Sequence, residues 1–189
     1  MAQFKILPTT WLLSPLTCFS RKRLFEEICS MVSTITDISP NVLLKALNER
    51  EAMGSTVCAR GISIPHAVVE DLESSLMVLT ILHDEVSYNP VDTDYMGVDM
   101  ALAFFISPKD DYETVEQMLR LVSKELNNTE LANSIRRVWQ DNAKLMLMMQ
   151  KLDSLLYQEL KDSVAEKQSS APSSATNVIM QFISDAINN

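Results

Sequence analysis

Two stretches of this chain are apolar almost without a break: Leu76 to Leu82 (Leu-Met-Val-Leu-Thr-Ile-Leu) and Asp99 to Ile106 (Asp-Met-Ala-Leu-Ala-Phe-Phe-Ile). A strand with one wet face alternates apolar and polar residues, whereas a run this continuous suits a central strand covered on both faces. The chain is therefore expected to carry an interior sheet. At 189 residues and 47% hydrophobic composition it has material for one compact α/β domain plus a tail. Between the two runs, His83 to Gly97 holds Asn89, Pro90 and several aspartates, which suits an edge strand or a long loop.

Helical spacing supplies the covering layers. From Arg21, with Ser20 as a possible cap, Leu24, Phe25, Ile28, Met31 and Val32 form an amphipathic stripe. A second helix has Ser39 as N-cap, Pro40 at its first position, Val42, Leu43, Leu44 and Leu47 inward, and Gly54 at its stop, which puts Arg50 in the last turn. Ser55 to Ala59 and Ile62 to Ile64 read as short extended runs around Arg60-Gly61, and Pro65 discourages helix at Ile64. Three further helical patterns span about 112–126, 129–140 and 142–161. The last carries Leu145, Leu147, Met148, Met149, Leu152, Leu155 and Leu156, a stripe read as core packing rather than a cofactor or peptide groove. The expected division is an N-terminal arm over 1–19, a domain over 20–162, a serine-rich linker over 163–176 and a short amphipathic helix over 177–189. That last helix could dock on its own domain or on a partner.

Charge and cysteine content narrow the function. A net charge of −9 leaves too few cations to track a phosphate backbone, so no nucleic-acid partner is expected. Cys18, Cys29 and Cys58 are an odd number at wide spacing without a histidine cluster, so neither a disulfide frame nor a metal site is expected and the thiols read as reduced. Pro8, Pro15, Thr9, Thr10 and Ser14 interrupt any signal-peptide core, and no run approaches the ~18 apolar residues of a membrane span. A cytoplasmic protein without cofactor is the expectation.

The chemistry concentrates in Arg50-Glu51-Ala52-Met53-Gly54-Ser55-Thr56 and Gly61-Ile62-Ser63-Ile64-Pro65-His66-Ala67. Imidazole, with a pKa of ~6.5, is largely neutral near pH 7 and can act as a nitrogen nucleophile toward phosphorus without unusual tuning. Phosphoryl transfer asks the protein mainly for positioning and for donors to three equatorial oxygens. Arg50 offers a planar fork, and Ser55 and Thr56 offer hydroxyls or amides beside a glycine turn. The bland readings are a loop or core histidine beside a proline, an arginine favoured by the helix dipole, and a Gly-Ser-Thr helix stop. His83, beside Asp84 and Glu85, reads as a surface residue.

Arranged in this order, these residues resemble the signature of the enzyme IIA domain of the phosphoenolpyruvate-dependent phosphotransferase system, fructose/mannitol type 2, a pattern shared by the nitrogen-regulatory enzyme IIA proteins. The similarity runs over roughly residues 18–153 and includes the Val98-Asp99 strand ending at Pro108 and Leu119-Arg120-Leu121-Val122-Ser123. The resemblance implies an α/β fold, a mixed β-sheet sandwiched by helices on both faces. It also implies phosphoryl acceptance at His66 from the phosphocarrier HPr or its nitrogen-branch counterpart NPr, with Arg50 stabilising the phosphate and Ser55 and Thr56 lining the pocket. One departure stands out. Family members carry a second histidine at the start of the helix after Pro108, and alignment on the Leu119 to Ser123 run puts Val115 there. Valine cannot donate a hydrogen bond, which removes about 1.5–3 kcal/mol at most from the phosphorylated state. No IIB cysteine domain or IIC membrane domain is recognisable in the sequence. The expected function is a phosphohistidine carrier that controls a regulated protein partner. The alternatives are a sugar-uptake IIA component handing phosphate to a IIB domain, and an interaction module without phosphoryl chemistry.

Overall fold

The computed structural model describes residues 5–88 and 97–169. In chain order the elements are β1 (Thr9–Leu16), α1 (Arg21–Thr36), α2 (Pro40–Ala52), β2 (Val57–Ala59), β3 (Ile62–Ser63), β4 (His66–Val68), β5 (Leu76–Ser87), β6 (Gly97–Ile106), α3 (Tyr112–Leu126), α4 (Thr129–Arg137) and α5 (Asn142–Ser169). The six strands form one mixed sheet in the order β1-β5-β6-β3-β2, with β4 also pairing β6. β5 and β6 are antiparallel, while β1 on β5 and both β3 and β4 on β6 are parallel.

The two apolar runs are β5 and β6 at the centre, as their composition demands. Met77, Leu79 and Ile81 of β5 and Met100, Leu102, Phe104 and Ile106 of β6 face α3, α4 and α5. Leu76, Val78 and Leu82 with Ala101, Ala103 and Phe105 face α1 and α2. The sheet is thus the middle of three layers, and its buried phenylalanines anchor both interfaces. Truncating either Phe104 or Phe105 to alanine removes a fully buried ring, at a cost of about 3–5 kcal/mol.

β3 and β4 lie end to end along the same side of β6, and β2 covers the outer side of β3. The break falls at Ile64-Pro65. Ile64 N–H donates to the Thr56 carbonyl at 2.9 Å and Pro65 has no N–H to give, although its carbonyl accepts from Phe104 N–H at 2.7 Å. The interruption turns the chain so that His66 opens β4, opposite Phe104.

Several expectations need revision. Thr9–Leu16, read as part of an arm, is an edge strand of the sheet. The prolines and polar residues that interrupt a signal-peptide core are tolerated at a sheet edge, where one row of donors faces solvent. β5 continues past Leu82 through His83, Asp84 and Glu85, which are exposed, to Val86, which is buried again. Ser20 caps α1 by accepting from Arg23 N–H, but the Ser39 side chain makes no capping bond and only its carbonyl serves α2. Val42 and Leu147, expected inward, are 47% and 57% exposed; α2 and α5 bury the neighbouring turns Leu43/Leu47 and Leu145/Met149 instead. α4 stops at Arg137 rather than Gln140. α5 runs to Ser169, through the first residues assigned to the linker, because Ala165-Glu166-Lys167-Gln168 are good helix formers with no glycine or proline to stop them. The rest of that linker and the amphipathic segment 177–189 lie outside the described residues. Among the described residues no helix is long and apolar enough to cross a membrane.

Candidate functional site

α2 ends where its last turn meets the β4 edge, and this junction brings Arg50 to His66. Arg50 Nε donates to His66 Nε2 at 2.9 Å, and Arg50 Nη1 donates to the Gly54 carbonyl at 3.0 Å. On the other side of the ring, His66 Nδ1 lies 2.8 Å from the Ile64 carbonyl. A carbonyl only accepts and a guanidinium only donates, so the two contacts fix the tautomer: the proton sits on Nδ1 and the lone pair on Nε2. Burial holds the imidazole below its ordinary pKa, and the Arg50 charge pushes the same way; the bond to the Ile64 carbonyl and the Glu51 carboxylate oppose them. The net lowering leaves a neutral ring at pH 7, with its nucleophilic nitrogen aimed at a guanidinium.

His66 and Arg50 open onto a cleft of ≈1000 Å³ between the end of α2 and the first turns of α3. Ser55, Thr56 and Val115 also line it. The α3 wall is fixed by Asp111, whose carboxylate caps the helix by accepting from Thr114 N–H at 2.9 Å, and by the buried Ser107, whose hydroxyl donates to the Leu72 carbonyl at 2.7 Å. Cys58 lies in the same cleft, but burial raises its thiol pKa, more than the hydrogen bond with Ser123 lowers it. Among the nucleophilic side chains of the cleft, His66 alone has a lone pair already aimed.

The two hydroxyl residues differ. Ser55 is exposed and its Oγ accepts from Val57 N–H at 3.3 Å, leaving its hydroxyl hydrogen uncommitted among the described residues. Thr56 is buried, and its hydroxyl donates inward to Glu51 Oε2 at 2.7 Å while its N–H reaches the same carboxylate at 3.2 Å. Its hydrogen is therefore committed to Glu51 and is not offered to the cleft. Val115 sits on the cleft wall and contributes only methyl groups there.

Glu51 had no assigned role in the sequence reading. It is buried on the face of α2 that carries Leu43 and Leu47, and Arg21 Nη1 of α1 approaches its Oε1 at 3.7 Å. The signal was available: the spacing 43, 47, 51 puts a carboxylate on an apolar helix face, and a carboxylate is buried only when it is paired. His83 is exposed, beside Asp84 and tilted against the Trp139 ring at 5.5 Å, far along the sheet from His66.

Comparison with known proteins converges on one family. Residues 6–151 match the family model of the phosphoenolpyruvate-dependent sugar phosphotransferase system, EIIA 2. The nitrogen regulatory protein of Escherichia coli (strain K12) is 30% identical over 125 residues, covering 66% of this chain and 75% of that protein. The nitrogen regulatory protein of Klebsiella oxytoca is 30% identical over 129 residues, covering 68% and 78%. Among solved structures, the nitrogen regulatory protein IIA-Ntr of Neisseria meningitidis superposes with a TM-score of 0.58 at 20% identity, covering 65% of this chain and 82% of that one, a likeness of fold. With that sheet and this match over most of its length, the chain belongs to the EIIA 2 family of the phosphoenolpyruvate-dependent sugar phosphotransferase system.

Proposed function

We propose that this protein is a cytoplasmic phosphohistidine carrier of the nitrogen-regulatory type. It takes a phosphoryl group onto His66 from an HPr- or NPr-type carrier and controls a protein partner through its phosphorylation state. The observation that carries the reading is the neutral imidazole with its Nε2 lone pair turned to Arg50 at the mouth of an open cleft. In the transfer, Nε2 attacks phosphorus and the new N–P bond forms as the donor's N–P bond breaks, with that electron pair returning to the donor's ring. Nδ1 keeps its proton throughout and donates it to the Ile64 carbonyl. Arg50 turns its Nε–H from Nε2 to the phosphoryl oxygens, with Nη2 beside it, where negative charge is spread in the transition state. Ser55 is the hydroxyl placed to help; Thr56 acts from behind.

Occupancy changes the surface strongly. A phosphoryl group brings about −1.5 to −2 charges and several acceptors to a cleft rimmed by the exposed Met53 and Tyr112, enough to create or abolish a docking surface. The test is transfer of labelled phosphate from a phosphorylated carrier to the wild type and to His66→Ala. Label on the wild type alone is the expected result; equal labelling of both would remove His66 as the acceptor.

Two other readings have specific support. The family is that of a sugar phosphotransferase system, which favours a IIA component that passes phosphate to a IIB cysteine; rapid discharge of labelled protein by a IIB domain would establish it. Val115 favours an interaction module without chemistry, in which the wild type takes up no label from any carrier yet still captures a partner.

A further inference from the structure

The hydrogen bonds around His66 close into a ring. Arg50 Nε donates to Nε2 of the imidazole at 2.9 Å, and Nδ1 donates to the Ile64 carbonyl at 2.8 Å. Ile64 N–H then donates to the Thr56 carbonyl at 2.9 Å. Thr56 N–H and hydroxyl donate to the Glu51 carboxylate at 3.2 and 2.7 Å, and Glu51 is bonded through the backbone to Arg50. We propose that Glu51 is a positioning residue for the His66–Arg50 pair: by pinning Thr56 it fixes the segment whose Ile64 carbonyl decides which ring nitrogen keeps the proton and which faces the cleft. The inference rests on the reading of His66 as phosphoryl acceptor and supplies what holds that acceptor ready.

Two adjacent residues grip one turn from opposite sides. Arg50 Nη1 holds the Gly54 carbonyl from the cleft side, and Glu51 holds Thr56 from the core side. If the turn 54–56 drifts, both ends of the ring move: Arg50 loses its brace, and the Thr56 carbonyl no longer aligns Ile64. A leucine at position 51 would simply have continued the buried face of Leu43 and Leu47. A carboxylate there carries a desolvation cost, offset by donors from Thr56 and by Arg21, itself held by the Tyr88 carbonyl at 3.0 Å. What the carboxylate adds over leucine is directional hold on the turn.

The experiment uses the full chain and two readouts: the 15N resonances of the His66 ring in the unphosphorylated protein, which report the tautomer, and initial labelling rates across a range of phosphorylated HPr. Glu51→Ala is expected to reduce the Nδ1–H share and to lower the saturating rate about tenfold, as small misplacements of reacting groups do, with KM within about twofold. Glu51→Gln restores most of both, because its carbonyl oxygen accepts the same Thr56 donors. Thr56→Val, which keeps the charge and removes one donor, shifts the tautomer in the same direction by less, and it decides the matter if Glu51→Ala does not fold. An unchanged ring spectrum in the folded variants, or a change in KM alone, overturns the proposal. A wild type that shows the tautomer shift on mutation but takes no label would sustain the positioning role while removing the phosphoacceptor reading.

Discussion

Two arginines mark opposite ends of this sheet, and they are used in opposite ways. At the start of β6, Arg136 of α4 meets Asp99 in a bidentate pair, Nε to Oδ2 and Nη2 to Oδ1, both at 2.7 Å, and Nη2 also reaches the Arg60 carbonyl at 3.0 Å. At the far end, Arg50 spends one donor on a neutral imidazole and one on a carbonyl, and among the described residues its Nη2 has no partner. A cleft of ≈760 Å³ surrounds Arg136, so a cleft with an arginine in it does not by itself distinguish the two ends. Saturation does. Arg136 is paired with a formal negative charge in the geometry that suits a guanidinium best, and an incoming anion would have to displace it. Arg50 donates to the His66 lone pair, which on the proposed reading becomes the bond to phosphorus, and neither of its partners carries a charge that an incoming anion would have to displace.

The largest expected effect separates these roles directly. Arg50→Ala should lower the rate of phosphoryl acceptance by about 10²–10³, the usual loss when one preorganised donor to a developing oxyanion is removed. Arg136→Ala should leave the rate within twofold. If both variants lose rate equally, the distinction between them collapses.

Stability should show the reverse ordering. The Arg136–Asp99 pair is partly buried, with side chains 24% and 33% exposed, so its loss should cost about 2 kcal/mol in urea unfolding, between a surface pair and a buried one. Gly61→Ala probes the same junction from the backbone. Gly61 has φ +75°, and a Cβ there would lie 2.7 Å from both Arg136 Nη2 and Asp99 Oδ1. Destabilisation of about 1–3 kcal/mol with labelling intact is the expected outcome. Arg50→Ala, by contrast, should leave the unfolding midpoint nearly unchanged.

The asymmetry also explains what the sequence made legible. The interior sheet followed from two apolar runs, and the helices from their 3.6-residue period, because burial on both sides of a sheet leaves no choice of residue type. The Arg50–His66 pair was readable because a helix stop, a glycine turn and a proline together restrict the path between them. β1 was not, because an edge strand tolerates the prolines and hydroxyls that elsewhere signal a loop. The inward turn of Thr56 was hidden for another reason: a Gly-Ser-Thr stretch reads as polar surface, and only the buried carboxylate of Glu51 decides that one hydroxyl faces the core. The Arg136–Asp99 pair joins residues distant in the chain, and nothing local to either announces the other.

A smaller effect concerns the wall that faces His66. Val115→His places a nitrogen donor on the first turn of α3, across the cleft that phosphate would occupy. One charge-assisted hydrogen bond of about 1.5 kcal/mol corresponds to roughly a tenfold longer lifetime of the phosphorylated protein. The acceptance rate should change less. Equal lifetimes in valine and histidine proteins would mean that Arg50 alone satisfies the bound phosphate, which would sharpen the contrast with Arg136 further.

The smallest effect is on pH dependence, and its sign follows from the lowered pKa of His66. Burial, aided by the Arg50 charge, favours the neutral ring in the folded protein, so near and below the ordinary value of 6.5 the unfolded chain binds more protons there than the folded one. This contribution makes stability fall as pH drops through 6.5 toward the lowered folded pKa; above 6.5 it is flat. Labelling should be flat across neutral pH too, and fall only at a midpoint below 6.5, where the ring protonates and the lone pair is lost. Removing the nearby positive charge in Arg50→Ala should move that midpoint upward, while Arg136→Ala, whose charge is already neutralised by Asp99 at the other end of the sheet, should leave it in place. An NMR titration of His66 in the three proteins reads this without any donor, and a midpoint that fails to rise in Arg50→Ala would show that the guanidinium does not act on the ring in solution.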